Sequence, residues 1–325
     1  NLTKYYFSVQ DHFEEVLLLF LNHFAGYNIA HETIEKERNI ILKEVKMYED
    51  NLFYKGYDEL MKMMFCDPMV WEDIAGTVES VNLINEKIIR QTIAHFYHPS
   101  LMKLVITGPF EVEKIIEIIN QSKLKNIPTR SPKPQLTFDL NGSDVHDAYL
   151  VNKNQSVEYF YLGVKIDLSL HQQLSINQKR LAMIMFFDYY FSESSEYYQQ
   201  LKNEKLINYS FYQTIYIAEQ YGYFVIGTET KNPKRLNQRL RQMLDQLGDI
   251  DETLFIANKR SRIGHFIGYF ESSKSVNKTI SDLINKGVDF SVYMKSIDDL
   301  TINDLLRTKS SITEENIYTL TYAKK

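Results

Sequence analysis

The sequence predicts an α+β protein of two tandem domains. Three observations predict it. Helical and strand-like runs occur in both halves without regular alternation, which argues against a doubly wound sheet. The 325 residues are 44% hydrophobic, enough for two cores. A proline-rich stretch, Lys125-Asn126-Ile127-Pro128-Thr129-Arg130-Ser131-Pro132-Lys133-Pro134, holds three of the seven prolines and no apolar period. Proline fixes φ and removes a donor, so this stretch reads as an extended linker over 126–135. It separates a first domain, 1–125, from a second, 136–325.

In the first domain, 4–9 reads as a strand. Asp11 and Glu14 make a capping-box-like start for a helix carrying Phe13, Val16, Leu17, Phe20, Leu21 and Phe24 on one stripe. Further helices are expected over 31–50, 54–64, 85–98 and 111–120. Asp67 and Pro68 open a loop past Trp71 to Gly76, and the compact apolar run 101–107 reads as a strand. In the second domain, strands are expected at 148–152, 157–165, 210–217, 223–228 and 317–322. Helices are expected at 174–191, 233–247, 252–270 and 276–285. The abundant tyrosine (23) and phenylalanine (19) read as core filling.

Composition excludes several classes. The net charge is -5, so no global field favours nucleic acid or an anionic membrane surface. No run of 18 apolar residues offers a membrane span. The single cysteine, Cys66, gives neither a disulfide framework nor a cysteine metal site and suits a reducing cytoplasm. The chain opens at Asn1, so any leader upstream is not visible in it.

The segment from Ile34 to Tyr48 is the informative one. At about 100° per residue, Ile34, Ile41, Val45 and Tyr48 share one arc, and Ile40 and Met47 lie roughly 120–140° away. Glu37 and Glu44 fall between these two apolar stripes, about 10.5 Å apart along the axis. An unpaired carboxylate on an apolar face is costly, so the pair calls for a metal ion or for cations elsewhere in the chain. Both answers, a metal site and a pair of structural salt bridges, stay open on the pattern alone. None of the eight histidines forms His-x-x-Glu-His or His-Glu-x-x-His. His95 and His98, three apart, read as a helix end, with zinc ligation as the alternative.

Glu37-Arg38-Asn39-Ile40-Ile41-Leu42-Lys43-Glu44-Val45-Lys46-Met47-Tyr48-Glu49-Asp50 resembles the second conserved motif of the pitrilysin (insulinase) family of zinc metallopeptidases. Asp73-Ile74-Ala75-Gly76-Thr77-Val78-Glu79-Ser80-Val81 and Phe96-Tyr97-His98-Pro99-Ser100-Leu101-Met102 fit the same family. With Lys259-Arg260-Ser261-Arg262-Ile263-Gly264-His265-Phe266 they are most similar to a bacterial branch associated with aminopentanol modification of elongation factor P.

The resemblance implies a processing-peptidase-like fold, with mixed, mainly antiparallel sheets covered by helices and the first domain incomplete. It implies that Glu44 matches the distal zinc ligand and Glu37 the acid that supports catalysis. The family's two histidine ligands and its glutamate base lie in an upstream His-x-x-Glu-His that this sequence does not contain. It further implies that Tyr209 stands where the family's tyrosine meets the substrate or the tetrahedral intermediate. Lys202 stands where the family has arginine, keeping the charge but losing the planar fork. The expected activity is zinc-dependent peptide hydrolysis by metal-activated water in the intact protein, with a peptide or protein substrate, a homo- or heterodimeric partner and a cytoplasmic location. The alternative is a non-catalytic peptide-binding or partner subunit of the same fold.

Overall fold

The computed structural model describes residues 2–26, 29–49, 51–128, 137–152 and 157–324. The first helix, α1 (Phe13–His23), is entered through His12 in the left-handed region (φ 56°) with no side-chain cap. The expected Asp11 cap is therefore not formed, and the His12 ring bonds Glu15 instead at 2.9 Å. Next come α2 (His31–Glu49) and α3 (Leu52–Met64), whose Asn51 cap accepts from the amides of Phe53 and Tyr54. Asp67 caps a short turn of helix at Pro68–Trp71 where a loop was expected. A six-residue helix, Val78–Leu83, then α4 (Glu86–Phe96) and α5 (Val112–Gln121) follow before the proline-rich stretch. Residues 129–135 of that stretch lie outside the described residues.

The later part runs β1 (Asp147–Asn152), β2 (Glu158–Ile166), α6 (Ile176–Phe191), α7 (Glu196–Asn203), β3 (Tyr212–Ile217) and β4 (Gly222–Thr230). After them come α8 (Pro233–Asp245), α9 (Glu252–Gly268), α10 (Ser273–Asn285), several short helical turns and β5 (Ile317–Lys324). Caps explain the starts: Ser175 with Gln178 forms a reciprocal box for α6, and Ser195 and Asn232 cap α7 and α8.

Two compact units emerge, and each interleaves stretches of sequence. The first holds 1–46, 75–136 and 268–282; the second holds 47–74, 137–267 and 283–325. α3 joins the second unit and most of α10 the first, so neither unit is one continuous stretch of sequence.

In the first unit, Leu17 and Leu21 of α1 bury against Ile115 and Ile118 of α5, with Phe7 and Ile106 packed alongside. Residues 4–9 and 101–107 were expected as strands, and neither is one: the first unit has no strand among the described residues. A strand exists only when its backbone groups find a ladder. Here the Val105 carbonyl accepts from Asn277 Nδ2 (2.9 Å) and Thr107 Oγ1 donates to the Ser273 carbonyl (3.0 Å). The segment is tied to α10 instead.

In the second unit, the five strands form one mixed sheet in the order β1-β5-β2-β4-β3. β2 is antiparallel to both β4 and β5, and β1 is parallel to β5. β2 is buried on both faces, which is why it reads as a nearly continuous apolar run. One face carries Phe160, Leu162 and Val164 onto α6 and α8, where Phe187 stacks on Phe224 at 3.9 Å. The opposite face carries Tyr161, Tyr223, Val225 and Leu320 onto Leu60, Met61 and Met64 of α3. Close approach of α3 depends on two glycines. A Cβ on Gly163 would overlap Met64, and one on Gly56 would overlap the Tyr161 ring.

Candidate functional site

α2 is a single helix through the whole informative segment, so Glu37 and Glu44 share its register. Ile34 and Val45 are buried and anchor the helix. The expected burial of the two acids does not occur: Glu37 and Glu44 are both exposed. The apolar side chains flanking them are also uncovered, with Ile40 at 49%, Ile41 at 37% and Met47 at 61% exposure. The reason is physical: helical spacing fixes which residues share a face, not what covers that face.

No ion pair or hydrogen bond among the described residues engages Glu37 or Glu44, so the salt-bridge answer is not realised there. The neighbours do pair: Arg38 joins Glu35 and donates to the Ile84 carbonyl. Arg38 is thus consumed in fixing α2, not in neutralising the two acids.

A zinc site needs three or four donors in one place. Among the described residues no group of three His, Cys, Asp or Glu could hold a metal ion. The described side chains therefore do not complete a zinc site by themselves. His95 ends α4, and His98 Nδ1 accepts from the Ser100 amide at 3.2 Å, so this pair is a helix end.

Lys202 and Tyr209 belong to the second unit. Lys202 is exposed in the last turn of α7. Tyr209 sits on the turn leading into β3 and is 94% exposed. Between them Leu206 and Ile207 insert into the core and fix the segment. Arg262 of α9 pairs with Asp188 of α6.

A polar layer between α3 and the sheet was not legible in the sequence. Tyr57 and Tyr223 join hydroxyls at 3.0 Å, and Tyr161 donates to the Phe53 carbonyl at 2.8 Å. Burial pushes the Tyr57 phenol up to about 12 and raises those of Tyr161, Tyr212 and Tyr223. Beside them Asp58 is pushed up to about 6, by burial first and then by the charge of Asp73. In the sequence these residues are ordinary helix and strand positions, and only the docking of α3 makes them one layer.

A helix-covered mixed sheet in one unit and a helical first unit with two exposed acids on one helix define the class: an M16-like peptidase fold. The family model described as "Peptidase M16 inactive domain" matches residues 84–256, more than half of the sequence, and the chain belongs to the M16 peptidase family. The Bacillus subtilis protein described as uncharacterized zinc protease YmfH is 25% identical over 93% of this chain and 71% of its own length. Uncharacterized zinc protease SCO5738 of Streptomyces coelicolor is 21% identical over 90% of this chain, which spans 62% of that relative. Among solved structures, a putative M16-like peptidase from Alicyclobacillus acidocaldarius superposes with a TM-score of 0.78 at 22% identity, over 97% of this chain and 76% of that one. An M16 inactive domain from Pseudomonas fluorescens gives a TM-score of 0.76 at 12% identity, over 96% and 75%. At these identities the structures speak for the fold alone.

Proposed function

We propose that this chain is part of a zinc-dependent endopeptidase of the M16 family, to which it contributes Glu44 as a metal ligand and Glu37 as its supporting acid. One observation carries the reading: the two acids stand unpaired and exposed, two turns apart, among uncovered apolar side chains of a single helix. Such a face is built to be covered by something that brings positive charge. The relatives' names supply the metal, and the histidine ligands would come from outside these residues.

On this reading Tyr209 and Lys202 meet an extended peptide substrate, with Tyr209 donating to a developing oxyanion. The working form is a dimer with a second family member, in the cytoplasm. No helix among the described residues is long and apolar enough to cross a membrane.

The test uses the complete gene product. Glu44→Gln should lower bound zinc measured by metal analysis, and peptide cleavage should fall with it. Tyr209→Phe should lower turnover with zinc content unchanged. Unchanged zinc in Glu44→Gln would overturn the ligand assignment. A complete protein that retains peptide but neither binds zinc nor cleaves would instead be the non-catalytic subunit.

A further inference from the structure

We propose that Glu229 is a positioning residue that locks the turn presenting Tyr209, an inference that rests on the peptidase reading above. α7 ends on Lys205 in the left-handed region (φ 58°), and the Leu206 amide bonds back to the Leu201 carbonyl at 3.0 Å. Leu206 and Ile207 then enter the core. The next three residues have no apolar anchor: Asn208 is exposed, Tyr209 is 94% exposed and Ser210 is half-buried.

Polar contacts hold the turn instead, and they converge on Glu229 of β4. The Ser210 amide donates to Asn208 Oδ1 at 2.7 Å, and the Phe211 amide donates to the Asn208 carbonyl at 3.1 Å. Asn208 Nδ2 donates to Glu229 Oε2 at 3.2 Å. The Glu229 amide donates to Ser210 Oγ at 2.7 Å. Glu229 thus grips the residues on both sides of Tyr209, one through its carboxylate and one through its backbone. From β2, Tyr159 stands opposite Glu229 in the ladder, where burial first and then the Glu229 charge raise its phenol.

An exposed aromatic gains nothing for the fold from being held still. A phenol that must meet one carbonyl oxygen of an extended peptide gains a great deal, because a misplacement of about 1 Å can cost roughly 100-fold in rate. The glutamate converts an otherwise free turn into a fixed one, at a point 20 residues away in sequence from the tyrosine it aims.

The experiment is a double-mutant cycle on the complete, active enzyme with a fluorogenic peptide. Glu229→Ala should lower kcat by about 10- to 100-fold with little change in KM. Asn208→Ala, which breaks the same contact from an exposed residue, should reproduce the loss if Glu229→Ala proves poorly folded. Glu229→Gln, which keeps an acceptor for Asn208, should restore most of the rate. In a Tyr209→Ala background Glu229→Ala should cost nothing further. Equal losses with and without Tyr209 would mean general damage to the unit and overturn the proposal. Full activity in both Glu229→Ala and Asn208→Ala, alongside a slow Tyr209→Phe, would overturn the positioning role and leave the peptidase reading intact. Full activity in Tyr209→Phe as well would remove both.

Discussion

Replacing Asp58 by asparagine should stabilise the second unit at neutral pH. Asp58 lies on α3, beside the tyrosine hydroxyls that meet the sheet. Burial and Asp73 both raise its carboxyl, and the cation four residues on gives little relief. Lys62 is already bonded to Glu59 at 2.8 Å and lies over the Trp71 ring at 5.2 Å. The folded-state value, about 6, is above the ordinary 3.8. The folded protein therefore holds this proton more tightly than the unfolded chain does. The contribution of Asp58 to stability is fully present below about pH 4 and is lost as pH rises through about 6. At full weight the shift is worth roughly 3 kcal/mol. For a group about half exposed, solvent screening reduces this to about 1–2 kcal/mol. In urea that moves the midpoint by about 0.5 M. Trp71, the single tryptophan, reports unfolding of this unit by fluorescence. Asp58→Asn should exceed the parent protein at pH 7.5, and the gap should close towards pH 4.5. A gap of constant size from pH 5 to 8, or a variant weaker at pH 7.5, would refute the reasoning.

Other perturbations test other parts of the fold. Gly56→Ala drives a methyl into the fully buried Tyr161 ring, so overpacking of about 1–3 kcal/mol should outweigh the helix gain of about 0.5–1 kcal/mol, read as a lower urea midpoint. His171 is fully buried, its Nδ1 has no partner among the described residues, and Nε2 lies 3.3 Å from Thr308 Oγ1. Burial, then Arg307, holds its pKa below the ordinary 6.5, with Lys179 adding to this and Asp304 and Asp167 opposing. Its neutral form thus stabilises the fold above about pH 6.5, and that contribution is lost as pH falls. His171→Gln should flatten the decline in melting temperature between pH 7.5 and 5.5; an undiminished decline would place the proton elsewhere.

What could be read from the sequence depended on whether a feature is local. Helix α6 was legible because its apolar residues follow one another at helical spacing. β2 was legible because both its faces are buried, leaving a run too short and too apolar for anything else. Residues 4–9 and 101–107 have the same character but no ladder to join, and propensity is silent about partners. Strand order was equally hidden: nothing in 317–324 says that it lies between β1 and β2. At the site, the helical wheel put Glu37 and Glu44 on one face but could not say that the face is open. Lys202 and Tyr209 were reachable only through resemblance. Glu229 was out of reach altogether, since only the pairing of β3 with β4 carries it to Tyr209.

The sheet's strand order has a consequence for how the protein is made. β5 fills the gap between β1 and β2, so a growing chain that has reached residue 316 holds two unjoined pieces with bare edges. Tyr161 and Phe160, fully buried in the finished sheet, have no β5 neighbours until then. Unpaired strand edges and uncovered aromatic rings are what invite association between chains. Until those eight residues are made, the second unit depends on being kept from other copies of itself, and their pairing ends that exposure.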